Sequence, residues 1–143
     1  MLGLLVVTHG QLAEDLVQAT TMILGPVEDL EAVSIGWNDD VDEARRRIDD
    51  AVARVGAAGD GTLILTDMFG GTPTNMALSL LESGSVEVVT GVNLPMVIKF
   101  ANLRERIELS EVARRIAEQG RDAIQVASER LEGSAREPGG GKA

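Results

Sequence analysis

Two positions in this chain combine a chemically capable side chain with an abrupt change in sequence texture. His9, the only histidine, ends the aliphatic run Gly3-Leu4-Leu5-Val6-Val7-Thr8 and is followed by Gly10. Asp67 ends a second run, Thr62-Leu63-Ile64-Leu65-Thr66, and is followed by Met68-Phe69-Gly70-Gly71-Thr72-Pro73. Neutral imidazole has one donor and one acceptor nitrogen. A carboxylate that accepts Nδ1–H fixes the tautomer, turns Nε2 outward as the lone-pair nitrogen and makes it more basic. Such a nitrogen is a competent nucleophile toward phosphorus. A phosphoryl group on it needs donors for its oxygens, and the free amides and dipole of a helix N-terminus supply them. Gly10 and Gly71-Thr72 each open a helical pattern, and the Thr72 hydroxyl adds a donor. Neither loop carries Lys or Arg, so a cation for the transferring group is expected from a partner. Each feature also has a plainer reading. Asp after a strand is commonly a turn residue, and Gly-Gly-Thr-Pro is ordinary turn chemistry.

The elements that must bring these residues together follow from the hydrophobic pattern. Residues 2–7 and 62–66 read as strands, and the lack of alternation in 2–7 implies burial on both faces, as in a parallel sheet. Residues 30–36 alternate and read as an edge-like strand, and 86–90 as a fourth. Between them lie helical patterns. Gln11–Leu24 carries the stripe Leu12, Leu16, Ala19 and Ile23, ended by Gly25-Pro26. A second helix opens at Asn38-Asp39-Asp40 and runs to Val55, with acids early and arginines later, matching the macrodipole. Thr72-Pro73 starts a third, with Thr as cap and Pro in the first turn, continuing through Met76, Leu80 and Leu81 to Ser83-Gly84. Helices over 95–103 and 110–119 follow, the latter broken by Gly120. Residues 123–128 fit either a short final strand or a helical continuation, and 133–143 read as a disordered Gly-rich tail after a single domain over 1–132.

Strand and helix thus alternate four times, which implies an open three-layer α/β sheet of parallel strands. Right-handed crossovers place every strand-to-helix loop at the carboxyl edge. In a flavodoxin-like order 2-1-3-4, the switch point falls between the first and third strands, whose tips are His9 and Asp67. The assumed order brings the pair face to face.

Composition excludes several classes. The chain has 143 residues, 44% hydrophobic but 2% aromatic, so its core is aliphatic. A net charge of −10 argues against nucleic acid as partner and favours a basic docking face on a protein partner. No apolar run approaches the ~20 residues of a membrane span, and the first residues lack the basic flank of a signal peptide. The absence of cysteine fits the cytoplasm. With one histidine and no cysteine, no common zinc site is available, and phosphotransfer without a bound metal ion or cofactor is expected. Neither a dinucleotide-binding G-x-G-x-x-G nor a nucleotide-binding P-loop is present, and no acidic pair follows the first strand as in a response-regulator receiver.

Three blocks together carry a family resemblance: Thr8-His9-Gly10, Asp67-Met68-Phe69-Gly70-Gly71-Thr72-Pro73-Thr74-Asn75 and Gly91-Val92-Asn93-Leu94-Pro95-Met96. Over residues 1–130 the chain resembles the mannose/fructose-class enzyme IIA domain of the bacterial phosphoenolpyruvate-dependent sugar phosphotransferase system. The resemblance implies a dimeric α/β domain with an added antiparallel strand near the C-terminus, which favours a strand at 123–128. It implies that His9 accepts a phosphoryl group from the phosphocarrier HPr and passes it to an enzyme IIB. Asp67 matches the histidine-orienting acid, and Thr72 a hydroxyl beside the phosphate, often Ser in the family. No IIB sequence follows here, so the acceptor is expected on a separate chain, with the membrane involved only through the transporter. A purely regulatory phosphoprotein remains an alternative. So does a dihydroxyacetone-kinase phosphotransfer subunit, although Gly10 stands where Ser is expected in that group. Trp37, Met68 and Phe69 are expected to rim the crevice as a docking patch for the phosphocarrier. Leu94 and Met96 are expected to seal the core.

Overall fold

Leu4, Leu5, Val6 and Val7 are fully buried in the computed structural model, which describes residues 1–105 and 107–136. They belong to β1 (Gly3–His9), and the other strands are β2 (Leu30–Ile35), β3 (Thr62–Thr66) and β4 (Val86–Thr90). The sheet order is β2-β1-β3-β4, with all three pairings parallel, as the alternation of elements predicts. The register sets Val7 beside Thr66 and His9 beside Ile35. The tips of β1 and β3 therefore end side by side.

Five helices flank the sheet: α1 (Leu12–Leu24), α2 (Val41–Val55), α3 (Gly71–Leu78), α4 (Leu94–Leu103) and α5 (Leu109–Asp122). Side chains alternate across β1 and β3 with the period of two that a pleated strand imposes. Leu4, Val6, Leu63 and Leu65 meet Met96, Val97, Phe100, Val112 and Ile116 on the α1/α4/α5 side. Leu5, Val7 and Ile64 meet Ile48, Val55 and Met76 on the α2/α3 side. Each such side chain contributes about 1.5–3 kcal/mol when fully buried. Burial on both faces explains why β1 reads as an unbroken aliphatic run. β1 and β3 form a rigid post under their two tips.

Several sequence expectations are corrected. Residues 123–126 contain no strand, and α6 (Ala127–Arg136) follows, so no antiparallel edge strand is present among the described residues. That helix takes in 133–136, the first residues of the expected tail, and 137–143 lie outside the described residues. Gly120 does not break α5 but lies inside it, buried. A Cβ there would stand 2.6 Å from the Met96 sulfur, so glycine permits the close packing of α5 on α4. α3 ends at Leu78, short of Ser83, and its cap is Gly70 rather than Thr72. The inward face of α1 is Ala13, Leu16, Val17 and Thr20, whereas Leu12 and Ile23 are exposed. Thr20 can lie inward because its hydroxyl donates to the Leu16 carbonyl at 2.9 Å.

Candidate functional site: a histidine–aspartate pair at the carboxyl edge

His9 is the last residue of β1 and the only residue of that strand left exposed. Asp67 follows β3 directly, and its side chain is largely covered while the imidazole is half exposed. His9 Nδ1 lies 2.7 Å from Asp67 Oδ2, and the His9 backbone N–H donates to the same oxygen at 3.0 Å. Partial burial alone would raise the Asp67 carboxyl, but the backbone N–H and ring of His9 outweigh it and hold it below the ordinary carboxylate range. An ionised carboxylate only accepts, so Nδ1 carries the proton and the Nε2 lone pair is free.

Nε2 sits beside the head of α3. A Cβ on Gly71 would lie 3.3 Å from it, and Gly71 itself has φ +82°, a left-handed conformation that glycine adopts without strain. The free amides of this helix start suit an anion. Gly71 is thus next to the ring, and Thr72 is exposed and lines, with His9, the cavity described below. Gly10 differs. Its amide donates to the Ile35 carbonyl at 2.9 Å, so it is spent on β2 and not available to an anion. The next amides, of Gln11 and Leu12, have no acceptor among the described residues. Thr8 braces this turn from beneath: its buried hydroxyl accepts from Ala13 N–H at 2.7 Å.

Beside the pair lies a cavity of about 540 Å³, lined by His9, Ile35, Trp37, Val41, Thr72 and Met76 among others. Trp37 is 99% exposed on its rim, and Phe69 and Met68 stand out of the neighbouring loop, at 77% and 54%. Phe69 does not seal the core, while Met96 does so and Leu94 is half-buried. The loop bearing Trp37 is pinned by Asp39, which sequence reasoning placed only as a helix-start residue. Its carboxylate accepts from Gly36 N–H at 2.7 Å and from Arg47 at 3.4 Å. The Gly-x-x-Asp spacing before a helix was the available signal. A larger hollow of about 740 Å³ opens at the amino edge, beside Met1, Asp60, Arg104 and Glu108, and shares no lining residue with the cavity beside His9. Among the described residues, no group of three His, Cys, Asp or Glu side chains is placed to hold a metal. No helix there is long and apolar enough to cross a membrane.

Comparison with known proteins decides the lineage to which this chain belongs. Residues 3–117 match the family model described as PTS system fructose IIA component. The chain belongs to that family, the fructose/mannose IIA components of the phosphotransferase system. It is 29% identical over 133 residues to the fructose-specific EIIA component of Bacillus subtilis (strain 168), covering 92% of this chain and 90% of that protein. It is 29% identical over 131 residues to the mannose-specific EIIAB component of Escherichia coli (strain K12), covering 87% of this chain but 39% of that protein. Among solved structures, the mannose/sorbose specific IIA subunit from Enterococcus faecalis superimposes with a TM-score of 0.74 at 30% identity, covering 87% of this chain and 92% of that one. Membership of the family implies a part in phosphotransfer.

Proposed function

We propose that His9 accepts a phosphoryl group from the phosphocarrier HPr and passes it to an enzyme IIB, in the cytoplasm. The observation that carries this reading is the Nδ1–Asp67 bond, because it leaves the Nε2 lone pair directed away from the carboxylate in a half-exposed ring. The Nε2 lone pair attacks phosphorus, an Nε2–P bond forms, and the P–N bond to the donor's histidine breaks, its electron pair returning to that ring. His9 keeps its Nδ1 proton throughout. The positive charge that develops on the ring is met by the Asp67 carboxylate, which acts as a fixed, partly buried counter-charge. Amides at the head of α3 and the Thr72 hydroxyl take the phosphoryl oxygens, as do those of Gln11 and Leu12 in place of Gly10.

Trp37, Met68 and Phe69 form the docking patch on either side of the ring. The partner supplies the cation, since no Lys or Arg lines the cavity beside His9. A homodimer is the proposed working form. Its support is the apolar surface that Ile124, Val126 and Leu131 leave exposed near the end of the described chain, at 77%, 59% and 70%.

The test is to incubate the protein with phosphoenolpyruvate, enzyme I and HPr, and to measure its mass. One acid-labile phosphate is expected, absent in His9→Ala. A phosphate that persists in His9→Ala overturns the reading.

A further inference from the structure

The Asp67 carboxylate has a weakness as an orienting group. Oδ2 receives both bonds from His9, while Oδ1 is buried and has no hydrogen-bond partner. Besides the ring, the His9 backbone N–H is the one hydrogen-bond tether on the carboxylate, and both bonds converge on a single oxygen, so the angle at which the carboxylate meets the ring also depends on where the Asp67 backbone stands. That backbone enters a loop ill suited to hold still. Met68 and Phe69 turn their side chains to solvent, and Gly70 and Gly71 follow with φ of +87° and +82°. Glycine backbones have the widest choice of conformations, and exposed side chains provide no packing anchor.

What holds the loop lies beneath it. Thr66 precedes Asp67, Thr74 is in the first turn of α3, and both are fully buried. Their hydroxyl oxygens are 2.7 Å apart, and the Thr74 hydroxyl is also bonded to the Met68 carbonyl. Proton counting fixes the direction. A carbonyl only accepts, so the single Thr74 proton goes to Met68, and Thr66 must donate to Thr74. The chain runs Thr66 O–H to Thr74 O–H to Met68 C=O. The Thr66 carbonyl, meanwhile, accepts from Val92 N–H at 2.9 Å, which ties the same residue to the loop after β4.

We infer that the buried hydroxyl pair Thr66–Thr74, by clamping the Met68 carbonyl, is the positioning device that sets Asp67 against His9. Thr66 and Thr74 touch neither the ring nor a transferring group; they act through Asp67. The inference rests on the reading of His9 as phosphoryl acceptor for its catalytic meaning, but the clamp itself is defined in the resting protein.

The chain's single histidine makes the test direct, because ¹⁵N-histidine labelling yields one pair of ring-nitrogen signals. At about pH 8.5, above the ordinary imidazole range, the wild-type protein is expected to show protonated Nδ1 and unprotonated Nε2. Thr74→Val keeps the shape and removes the hydroxyl. It should move the signals toward a mixture of the two tautomers and slow phosphoryl uptake from phospho-HPr by about tenfold or more. Thr74→Ser should restore both. Wild-type ring signals and uptake in Thr74→Val, with only a lowered melting temperature, would reduce the clamp to a structural bond and overturn the inference. If Thr74→Val does not fold, Thr66→Val removes the donor that anchors Thr74, and unchanged ring signals there overturn it equally. Failure of the wild-type protein to take up phosphate refutes the phosphotransfer reading instead, and leaves the tautomer comparison decisive for the clamp.

Discussion

A methyl group on Gly71 would stand 3.1 Å from Cε1 and 3.3 Å from Nε2 of His9, so open access to Nε2, the nitrogen proposed to react, depends on a side chain that is not there. Gly71→Ala also forces an L residue to φ +82°, a strain of about 1–2 kcal/mol. Phosphoryl uptake should fall far more than this modest loss of stability would explain, and denaturant melts run beside uptake assays separate the two. Asp67→Asn keeps the nucleophile but loses the counter-charge and the unambiguous acceptor, so uptake should slow by about a hundredfold without vanishing. Unchanged uptake would remove Asp67 from the site. The same substitution has a thermodynamic signature. A carboxyl held below its unfolded value contributes stability above about pH 4, and loses it as pH falls through the lower folded value. Urea denaturation should therefore show wild type losing more stability than Asp67→Asn between about pH 6 and pH 3. Both residues are legible in the sequence because each ends an aliphatic run that only a doubly buried strand would need. The misassigned Gly10 amide shows where legibility stops: its acceptor is Ile35, on a strand paired by register, and register is not written locally.

Element types and order were readable, while the ends and faces of helices were not, and the physical reasons differ from case to case. β1 and β3 are continuous apolar runs because helices cover both faces, so their length and burial appear directly in the residues. Gly120 reads locally as a helix breaker, yet α5 continues through it because the helix packs against Met96 where a larger residue would not fit. Tertiary packing overrides propensity there. The carbonyl of Gly120 also accepts from the Asn93 side chain at 3.0 Å, and Asn93 caps α4 by accepting from Met96 N–H at 3.3 Å. Gly120→Ala should therefore destabilise by about 1–3 kcal/mol, an overpacking cost, read as a lower thermal midpoint. Phosphoryl uptake at temperatures where the protein is folded should be unaffected, since α5 packs on α4, β4 and β3 and supplies no residue to the cavity beside His9. A stability equal to wild type would mean that α5 is not pressed on Met96. The strand expected at 123–128 came from the family resemblance, not from the pattern of these residues, which fitted helix and strand alike.

Charge belongs to the molecule as a whole, and it bears on encounter with a partner rather than on folding. The chain carries −10, and the rim of the cavity beside His9 contributes Asp39, part-neutralised by Arg47, but no free cation of its own. On the proposed reading His9 receives a dianionic phosphoryl moiety, and with an acidic chain and no cation lining the cavity the compensating charge falls to the donor. The donor should therefore dock through a basic face, with Trp37, Met68 and Phe69 forming the apolar centre of the contact. Steering of this kind raises association rates and is screened once the Debye length falls from about 10 Å at 0.1 M salt to about 3 Å at 1 M. Second-order transfer from phospho-HPr, measured at low donor concentration, should fall on the order of tenfold over that range. The first-order step inside the complex should barely change, because the ring, Asp67 and the phosphoryl group are then shielded from bulk ions. Trp37→Ala should act on the apolar part, slowing transfer at every salt concentration while leaving the salt slope as it was. A transfer rate indifferent to salt would show that the acidic surface serves solubility alone, and one indifferent to Trp37→Ala would remove the indole from the contact.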